Sequence, residues 1–557
     1  MRLYRLSLIF AACALSLSAP LRAQSSLVPA LHPVYDWLEM QRVNGMVPAY
    51  QHEVRPQSRA TVLELLHGLE HDSLKLSRIN RNLLREFLNE FDMNRLIANR
   101  MLTRDFVKKL PRSFPTALRD RKDPVLYAGQ SRDSTFSGAF YAEKAIGALS
   151  LNQNGETKTG QLAIKGVKAF ANTNFGLGFH IEAEHADIAS NRELLARDEK
   201  LGSAYGYRAF EAKESASFEA FVSYRRPYLE MHLGRGALAM GAALTDPVVI
   251  RPDAPNIGFF RMQVGTPTFN LVLLQGSLYA EPHFEEQVYD GDTIDVKVAP
   301  QRWAAIQRLT WKPVNQLTIA LHEMTIYSGR GLDFDYINPV SPQFFSQGDG
   351  GDRDNTFVGL DVITRPVRGT ELFGSLLVDD LNSIPGFLKF DTKAIASVGA
   401  RQRVLQNVQL GASYTRSDPY MYTHFQRLDT WEQSGHALGQ SIGPNATELA
   451  LRVNSWLPLR TRIMLGARQI KQGLNPVDSS GRQTANVGGD LFKGVPSSYP
   501  GLFAGADVHY TRRVELEFET EFIRSLKIAF KLRDDKVTGG MQLPSNRFID
   551  FRLRYGF

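Results

Sequence analysis

The spacing of hydrophobic positions changes once along this chain. From about Leu31 to Leu110 apolar residues recur every three or four positions, which is the period of an amphipathic helix. After about Ser134 apolar and polar residues alternate, and the alternation continues to Phe557. Since alternation places apolar residues on one face of a strand, the sequence predicts a small helical region followed by a long β region.

The helical region predicts a bundle of about three helices. The first is a short helix that Gly45 closes, since glycine readily ends a helix. Ser58 and Ser77 are the predicted N-caps of the second and third helices. A segment rich in Arg, Lys, Pro and Ser, from Arg112 to Asp123, then leads away from the bundle.

The connections in the β region predict a membrane barrel rather than a soluble sandwich. Short turns, such as Arg226-Pro227 and Gln406-Asn407, alternate with long polar loops such as Ser417 to Ala446. A barrel with short turns at one rim and long loops at the other produces this order. Counting the strands on either side of each short turn, with one more at each end, gives about eighteen strands. The last strand alternates from Ile549 and ends in Phe557, which resembles the signal that the outer-membrane barrel-assembly machinery recognises.

Composition alone does not reveal a membrane protein. The 557 residues are 43% hydrophobic, with a mean hydropathy of -0.24. No internal apolar run reaches the ~18 residues that a membrane-spanning helix needs, which excludes a helical membrane protein of several spans. The net charge of +7 is small for this length and no basic arm is present, so we expect no nucleic-acid partner.

The N-terminus predicts export. Residues 1–23 have the charged start, short apolar stretch and small-residue end of a signal peptide. The single cysteine, Cys13, lies within it, so the mature chain is expected to contain no disulfide. The predicted organisation is a signal peptide (1–23), a helical bundle with linker (24–133) and a barrel (134–557).

Several blocks in the barrel region carry a resemblance to a known family. They are Gln307–Trp311, Leu321–Gly331, Tyr336–Pro339, Asp354–Asp361 and Gly374–Asp380. In this order they resemble the capsule-assembly Wzi-like family of outer-membrane proteins. The resemblance implies an outer-membrane barrel of eighteen strands with a periplasmic helical bundle, which holds capsular polysaccharide at the cell surface as a lectin.

Charged residues on or beside the strands are the first candidate site. They are expected to face the lumen or to lie at a rim, because an arginine at the middle of the lipid face costs about 2–4 kcal/mol. There they could bind sugar hydroxyl and acidic groups, but a structural ion-pair network is the favoured alternative. The residues are Arg235, Glu323, Arg330, Asp361, Asp379 and Asp380.

Aromatic residues in two long loops are the second candidate site. A flat ring matches the apolar face of a pyranose, although such rings also form the interface girdles of any barrel. One loop contains Tyr336, Phe344 and Phe345. The other contains Tyr420, Tyr422, Phe425 and Trp431, together with His424 and Arg427.

The sequence therefore predicts a non-enzymatic outer-membrane barrel of a Gram-negative-type cell that binds or organises surface polysaccharide. A porin-like solute channel and, less favoured, an outer-membrane hydrolase remain as alternatives, although the common catalytic motifs are absent. No cofactor or metal is predicted, because the acidic loop around Asp352 lacks the EF-hand pattern. Expected partners are polysaccharide, outer-membrane lipid and the assembly machinery.

Overall fold

The computed structural model contains a barrel of strands with a helical domain at one end. It describes residues 24–48, 50–101, 123–189, 194, 214–280, 283–289, 292–339, 341–349, 353–379, 393–494, 501–524, 526–540 and 542–556. The predicted signal peptide with Cys13, the candidate residue Asp380, Asp352 and the terminal Phe557 lie outside the described residues.

The described part of the N-terminal domain is helical, as predicted. Its helices are α1 (Val34–Val43), α2 (Arg59–His71), α3 (Arg78–Phe91) and α4 (Met93–Asn99). The side chains of Ser58 and Ser77 accept hydrogen bonds from the backbone N–H groups of Thr61 and Asn80, each at 3.3 Å. The two predicted N-caps are therefore confirmed. Helix α4 was not predicted, because its seven residues are too few to establish a helical period.

Eighteen long antiparallel strands form a closed barrel, which confirms the predicted fold. The strands are β1 (Phe136–Gln153), β2 (Glu156–Thr173), β3 (Leu177–Ala189), β4 (Glu214–Arg226), β5 (Leu229–Gly236), β6 (Ile257–Gly265), β7 (Phe269–Leu278), β8 (Arg302–Val314), β9 (Leu317–Ser328), β10 (Asn355–Thr364), β11 (Thr370–Asp379), β12 (Lys393–Leu405), β13 (Val408–Ser417), β14 (Ala446–Leu457), β15 (Thr461–Leu474), β16 (Asp507–Ile523), β17 (Leu526–Thr538) and β18 (Asn546–Gly556).

The barrel closes between its first and last strands. Strand β18 pairs with β1 in antiparallel register, from Asn546 opposite Gln153 to Gly556 opposite Glu143. The short strand Tyr127–Gln130 continues along the same edge of β1, with Tyr127 opposite Phe140. Closure leaves no unpaired barrel edge in the membrane, where each unpaired backbone group would be costly.

The two rims differ as the sequence predicted. Short turns such as 227–228 and 406–407 form one rim, whereas the segments 237–256 and 418–445 rise from the other. Outer-membrane barrels have short periplasmic turns and longer extracellular loops, so we name the two ends accordingly. Among the described residues no helix is both long enough and apolar enough to span a membrane.

The helical domain lies against the periplasmic end of the barrel. Arg42 of α1 forms a two-bond ion pair with Glu371 of β11. The bond from Nη2 of Arg42 to Oε1 of Glu371 is 2.8 Å long. Glu90 of α3 binds Arg460 in the turn after β14 at 2.7 Å. The segment that contains Val54 enters the barrel itself, because Val54 and Arg55 pair there with residues 239–240.

Much of the lumen is filled by chain rather than by solvent. The extracellular segment 237–256 folds inward, and Val248, Val249 and Ile250 are buried there. They belong to one apolar cluster with lumen-facing residues of the strands, such as Phe259 of β6 and Met324 of β9. The inner faces of these strands therefore form a packed core, which a sequence pattern of alternation alone does not reveal.

Candidate functional site

The predicted aromatic residues of the loop 418–445 lie at its base. Tyr420, Tyr422 and Trp431 each have 0% of their surface exposed. The hydroxyl group of Tyr422 donates a 2.7 Å hydrogen bond to the carbonyl oxygen of Val248, and that of Tyr420 donates one of 2.8 Å to Asn486. Because none of the three rings presents a face to solvent, their contacts assign them to the scaffold of the loop.

Arg302 of β8 fastens the same loop from the barrel wall. Its Nη2 donates to the carbonyl oxygen of Thr430 at 2.8 Å, and its Nε donates to that of Leu428 at 2.5 Å. Its Nη1 also binds Glu432. The loop is thus held by a buried guanidinium group. Sequence analysis missed this role of Arg302, because the sequence of an alternating strand does not show which distant residue a charged side chain contacts.

Residues next to this scaffold are exposed on the extracellular side. Phe425 is 62% exposed, and its ring centre lies 4.1 Å from that of His424. Arg427 is exposed on the same loop, and its guanidinium carbon lies 5.5 Å from the ring centre of Phe492. Phe492 belongs to the next extracellular loop. Two loops thus place the exposed side chains of Phe425 and Arg427 beside the half-buried ring of Phe492 and the buried ring of His424. We call this group the Phe425 surface (His424, Phe425, Arg427 and Phe492).

A buried carboxyl group lies below this surface. Asp429 is 1% exposed, and its Oδ2 lies 4.0 Å from Nδ1 of His424. Burial raises the pKa of Asp429 to about 7, although Arg302 and Arg330 act in the opposite direction. The loop therefore contains a group whose charge changes near neutral pH.

The predicted residues of the loop 329–354 form a separate cluster. Arg330 forms a two-bond ion pair with Asp354 at 2.9 and 2.5 Å, and the hydroxyl group of Tyr336 donates to the same carboxylate at 2.6 Å. Tyr336 is buried and stacks on Tyr327 of β9, with ring centres 5.0 Å apart. These residues fix the start and end of the loop to each other.

Part of this loop covers the outer wall of the barrel. Glu323 of β9 is on the same face as the exposed Leu321, so it points away from the lumen. Its carboxylate accepts a 2.7 Å hydrogen bond from the backbone N–H of Gln343, at the start of helix α5 (Gln343–Asp349). The expectation of a lumenal or rim position is wrong for Glu323, because a folded-back loop rather than the lumen satisfies its charge.

The other three strand charges take two positions. Asp361 of β10 is fully buried in the lumen, where it binds Arg308 at 2.6 Å. Asp379 of β11 is equally buried and binds Lys393 at 3.0 Å. Both are structural ion pairs, which was the favoured alternative. Arg235 is exposed on the outward face at the extracellular end of β5, and so does not face the lumen.

The lumen also contains a charged cavity of about 650 Å³. Glutamates on β16 line it and pair with basic residues on both neighbouring strands. Arg468 binds Glu515 at 2.8 Å, and Lys527 binds Glu519 at 2.7 Å. These pairs give the cavity balanced rather than single-sign charge.

No group of three or more His, Cys, Asp or Glu side chains suited to a metal is present among the described residues. Asp354, in the acidic loop around Asp352, is engaged by Arg330 and Tyr336.

Three solved structures illustrate what this chain is similar to, and one of them aligns with a TM-score above 0.5. Wzi of Escherichia coli, described as a carbohydrate-binding β-barrel involved in group 1 capsule assembly, aligns with a TM-score of 0.56 at 13% identity, covering 95% of this chain and 99% of that one. OccK2 (OpdF) of Pseudomonas aeruginosa, solved with glucuronate, and OccAB2 of Acinetobacter baumannii align at 0.41 and 0.42. Their identities are 10% and 9%, each covering 75% of this chain and 98% of theirs.

The sequence itself matches a family at the level of a family model. No curated protein matches it. The model of the capsule assembly protein Wzi family matches residues 142–493, which is more than half of the chain and includes both loops described above. The closed barrel of eighteen strands agrees with an outer-membrane location. This chain belongs to the capsule assembly protein Wzi family of outer-membrane barrels.

Proposed function

We propose that the Phe425 surface binds polysaccharide, and that the protein organises capsular or another surface polysaccharide without catalysing a reaction. One observation carries the proposal: Phe425 is exposed beside His424 and Arg427 on a loop whose aromatic base is buried and hydrogen-bonded. An aromatic ring matches the apolar face of a sugar, and a guanidinium group binds carboxylates. Family membership supports the same function.

In this proposal Tyr420, Tyr422 and Trp431 position the surface and do not touch the sugar. A rigid loop binds more tightly than a mobile one, because less conformational entropy is lost on binding. Arg330 and Tyr336 have the corresponding role in the loop 329–354. Outer-membrane lipid and, during biogenesis, the barrel-assembly machinery are the other partners that we expect.

The test uses polysaccharide extracted from the surface of the cells that produce the protein. We expect Phe425→Ala and Arg427→Ala each to weaken its binding to the purified barrel about tenfold, equivalent to about 1.4 kcal/mol. Phe334→Ala is the matched control, since Phe334 is a phenylalanine of the other extracellular loop and is 83% exposed. Unchanged binding in both Phe425 and Arg427 variants would reject this surface.

A solute channel is the second candidate, and the charged cavity of about 650 Å³ is the observation that favours it. The purified barrel in planar bilayers would then conduct ions. Conductance together with unchanged retention of polysaccharide on cells that lack the protein would favour the channel. Release of polysaccharide into the medium from those cells would favour the binding function.

A further inference from the structure

Helix α3 follows the periplasmic rim of the barrel. At its start the backbone N–H of Ser77 donates to Oε1 of Gln406, in the turn after β12, at 2.6 Å. In its middle Phe87 lies edge-on to Trp456 near the end of β14, with ring centres 6.1 Å apart. At its end Glu90 binds Arg460 in the turn between β14 and β15. The helix therefore runs beneath consecutive hairpins of the wall.

The face of α3 that points away from these contacts is basic. Arg78, Arg81 and Arg85 follow the helical spacing of three and four residues and are all exposed. Within the described part of the chain none of the three guanidinium groups has a hydrogen bond or an ion pair. Unpaired cations on one face of a helix attract an anionic partner through charge complementarity.

An exposed apolar side chain lies at the start of this basic face. Leu74 is 89% exposed, more than any other large apolar residue in the described part of the chain. The next residue, Lys75, accepts a 3.1 Å hydrogen bond at its carbonyl oxygen from Nε2 of Gln406. Gln406 directly follows Leu405, which is 59% exposed at the periplasmic end of the lipid-facing wall. Leu74 is thus held close to the level at which the barrel wall leaves the lipid.

We propose that Leu74, Arg78, Arg81 and Arg85 bind the anionic phospholipid headgroups of the leaflet that faces the periplasm. Basic residues near a membrane surface are attracted by anionic lipid, and a neighbouring apolar side chain inserts between the headgroups. The α3 helix then anchors the helical domain to the membrane as well as to the barrel. This role is independent of polysaccharide binding on the opposite side.

The experiment places one fluorescent label on the full chain, reconstituted in vesicles that contain a nitroxide-headgroup lipid. In a Cys13→Ser background, a bimane on Leu74→Cys reports contact with the headgroups, because Cys13 is the only native cysteine. His67→Cys is the matched control, since His67 is an exposed residue of α2 that pairs with Glu70 in the same domain. Vesicles contain phosphatidylcholine alone or mixed with phosphatidylglycerol.

We expect quenching at position 74 to exceed that at 67 about twofold or more, and to increase with phosphatidylglycerol. The triple variant Arg78→Gln, Arg81→Gln, Arg85→Gln should lose the increase, while its folded migration on unheated gels remains. Equal quenching at both positions would overturn the proposal. Quenching at position 74 that does not change with phosphatidylglycerol, or that is the same in the triple variant, would also overturn it. A label at position 74 that is shielded from solvent but is not quenched by the lipid would indicate a protein or polysaccharide partner. That result would also overturn the proposal.

Discussion

The indole Nε1 of Trp431 donates a 2.8 Å hydrogen bond to the carbonyl oxygen of Val249. Trp431 belongs to the loop 418–445 and Val249 to the segment 237–256, so the bond joins two extracellular segments inside the barrel. Both residues are buried. Because an unpaired indole N–H in such a core would be costly, this contact fixes the loop that carries Phe425.

Removal of this contact should destabilise the folded barrel. Trp431→Ala deletes a fully buried ring, so we expect its free energy of unfolding to fall by about 3–5 kcal/mol. Trp431→Phe retains most of the packing and leaves the Val249 carbonyl unpaired, which should cost about 1–3 kcal/mol. Denaturant titration of the protein in detergent, followed by fluorescence, measures both. An unchanged free energy of unfolding in Trp431→Phe would contradict the assigned hydrogen bond.

The junction between the helical domain and the barrel depends on Glu371. Its carboxylate binds Arg42 of α1 and, at 2.9 Å, Arg401 of β12, and all three side chains are buried. Glu371→Gln removes the anionic partner of the buried Arg42 and one of the two anionic partners of Arg401, which keeps Glu39 at 3.0 Å. We therefore expect a loss of about 3–5 kcal/mol. Limited proteolysis should then cleave the helical domain at lower protease concentration than in the unmodified protein.

The matched control for Glu371 is an exposed pair at the same interface. Glu64 of α2 binds Arg225 at 3.1 Å, but its side chain is 65% exposed. Water and salt screen such a pair, so Glu64→Gln should cost less than about 1 kcal/mol. If both variants were cleaved alike, burial would not be what makes the Glu371 junction strong.

A close approach at Gly178 holds the N-terminal segment against β3. A Cβ atom added there would overlap backbone atoms of Ser25 and Ser26. Gly178→Ala should therefore displace that segment and cost about 1–3 kcal/mol. Gly374→Ala in β11 is the control, since its Cβ would lie 3.9 Å from Val398 and meet only ordinary contact. Equal unfolding midpoints for the two variants would contradict the close approach.

The raised pKa of Asp429 predicts that stability depends on pH. The folded state binds a proton more tightly than the unfolded state, whose carboxyl group has the ordinary value of 3.8. The stabilising proton is fully present below that value and is lost as the pH rises through about 7. We expect the unfolding midpoint to fall across this range, and to fall less in Asp429→Asn. An identical pH profile for that variant would reject the assignment.

Several features were predictable from the sequence because they depend on neighbouring residues. The N-caps at Ser58 and Ser77 are local, and so is the alternation that gives each strand one apolar face. The resemblance to the family rested on short blocks of adjacent residues in the same way.

The role of individual site residues was not predictable in this way. Tyr420, Tyr422 and Trp431 were correctly placed in one extracellular loop, but the sequence does not say whether that loop projects outward or folds into the lumen. Glu323 was expected in the lumen or at a rim because charges avoid lipid, yet a loop folded over the outer wall covers it. In both cases the deciding contact comes from residues distant along the chain.

The sequence by itself therefore determined the barrel, its eighteen strands, its two unlike rims and its family, because a strict period of two constrains every strand locally. Only the tertiary structure decided which aromatic rings reach solvent, which charges pair and how far the lumen is filled. Those outcomes depend on where long loops pack, and loop packing is set by contacts such as Trp431 with Val249 that no local pattern encodes.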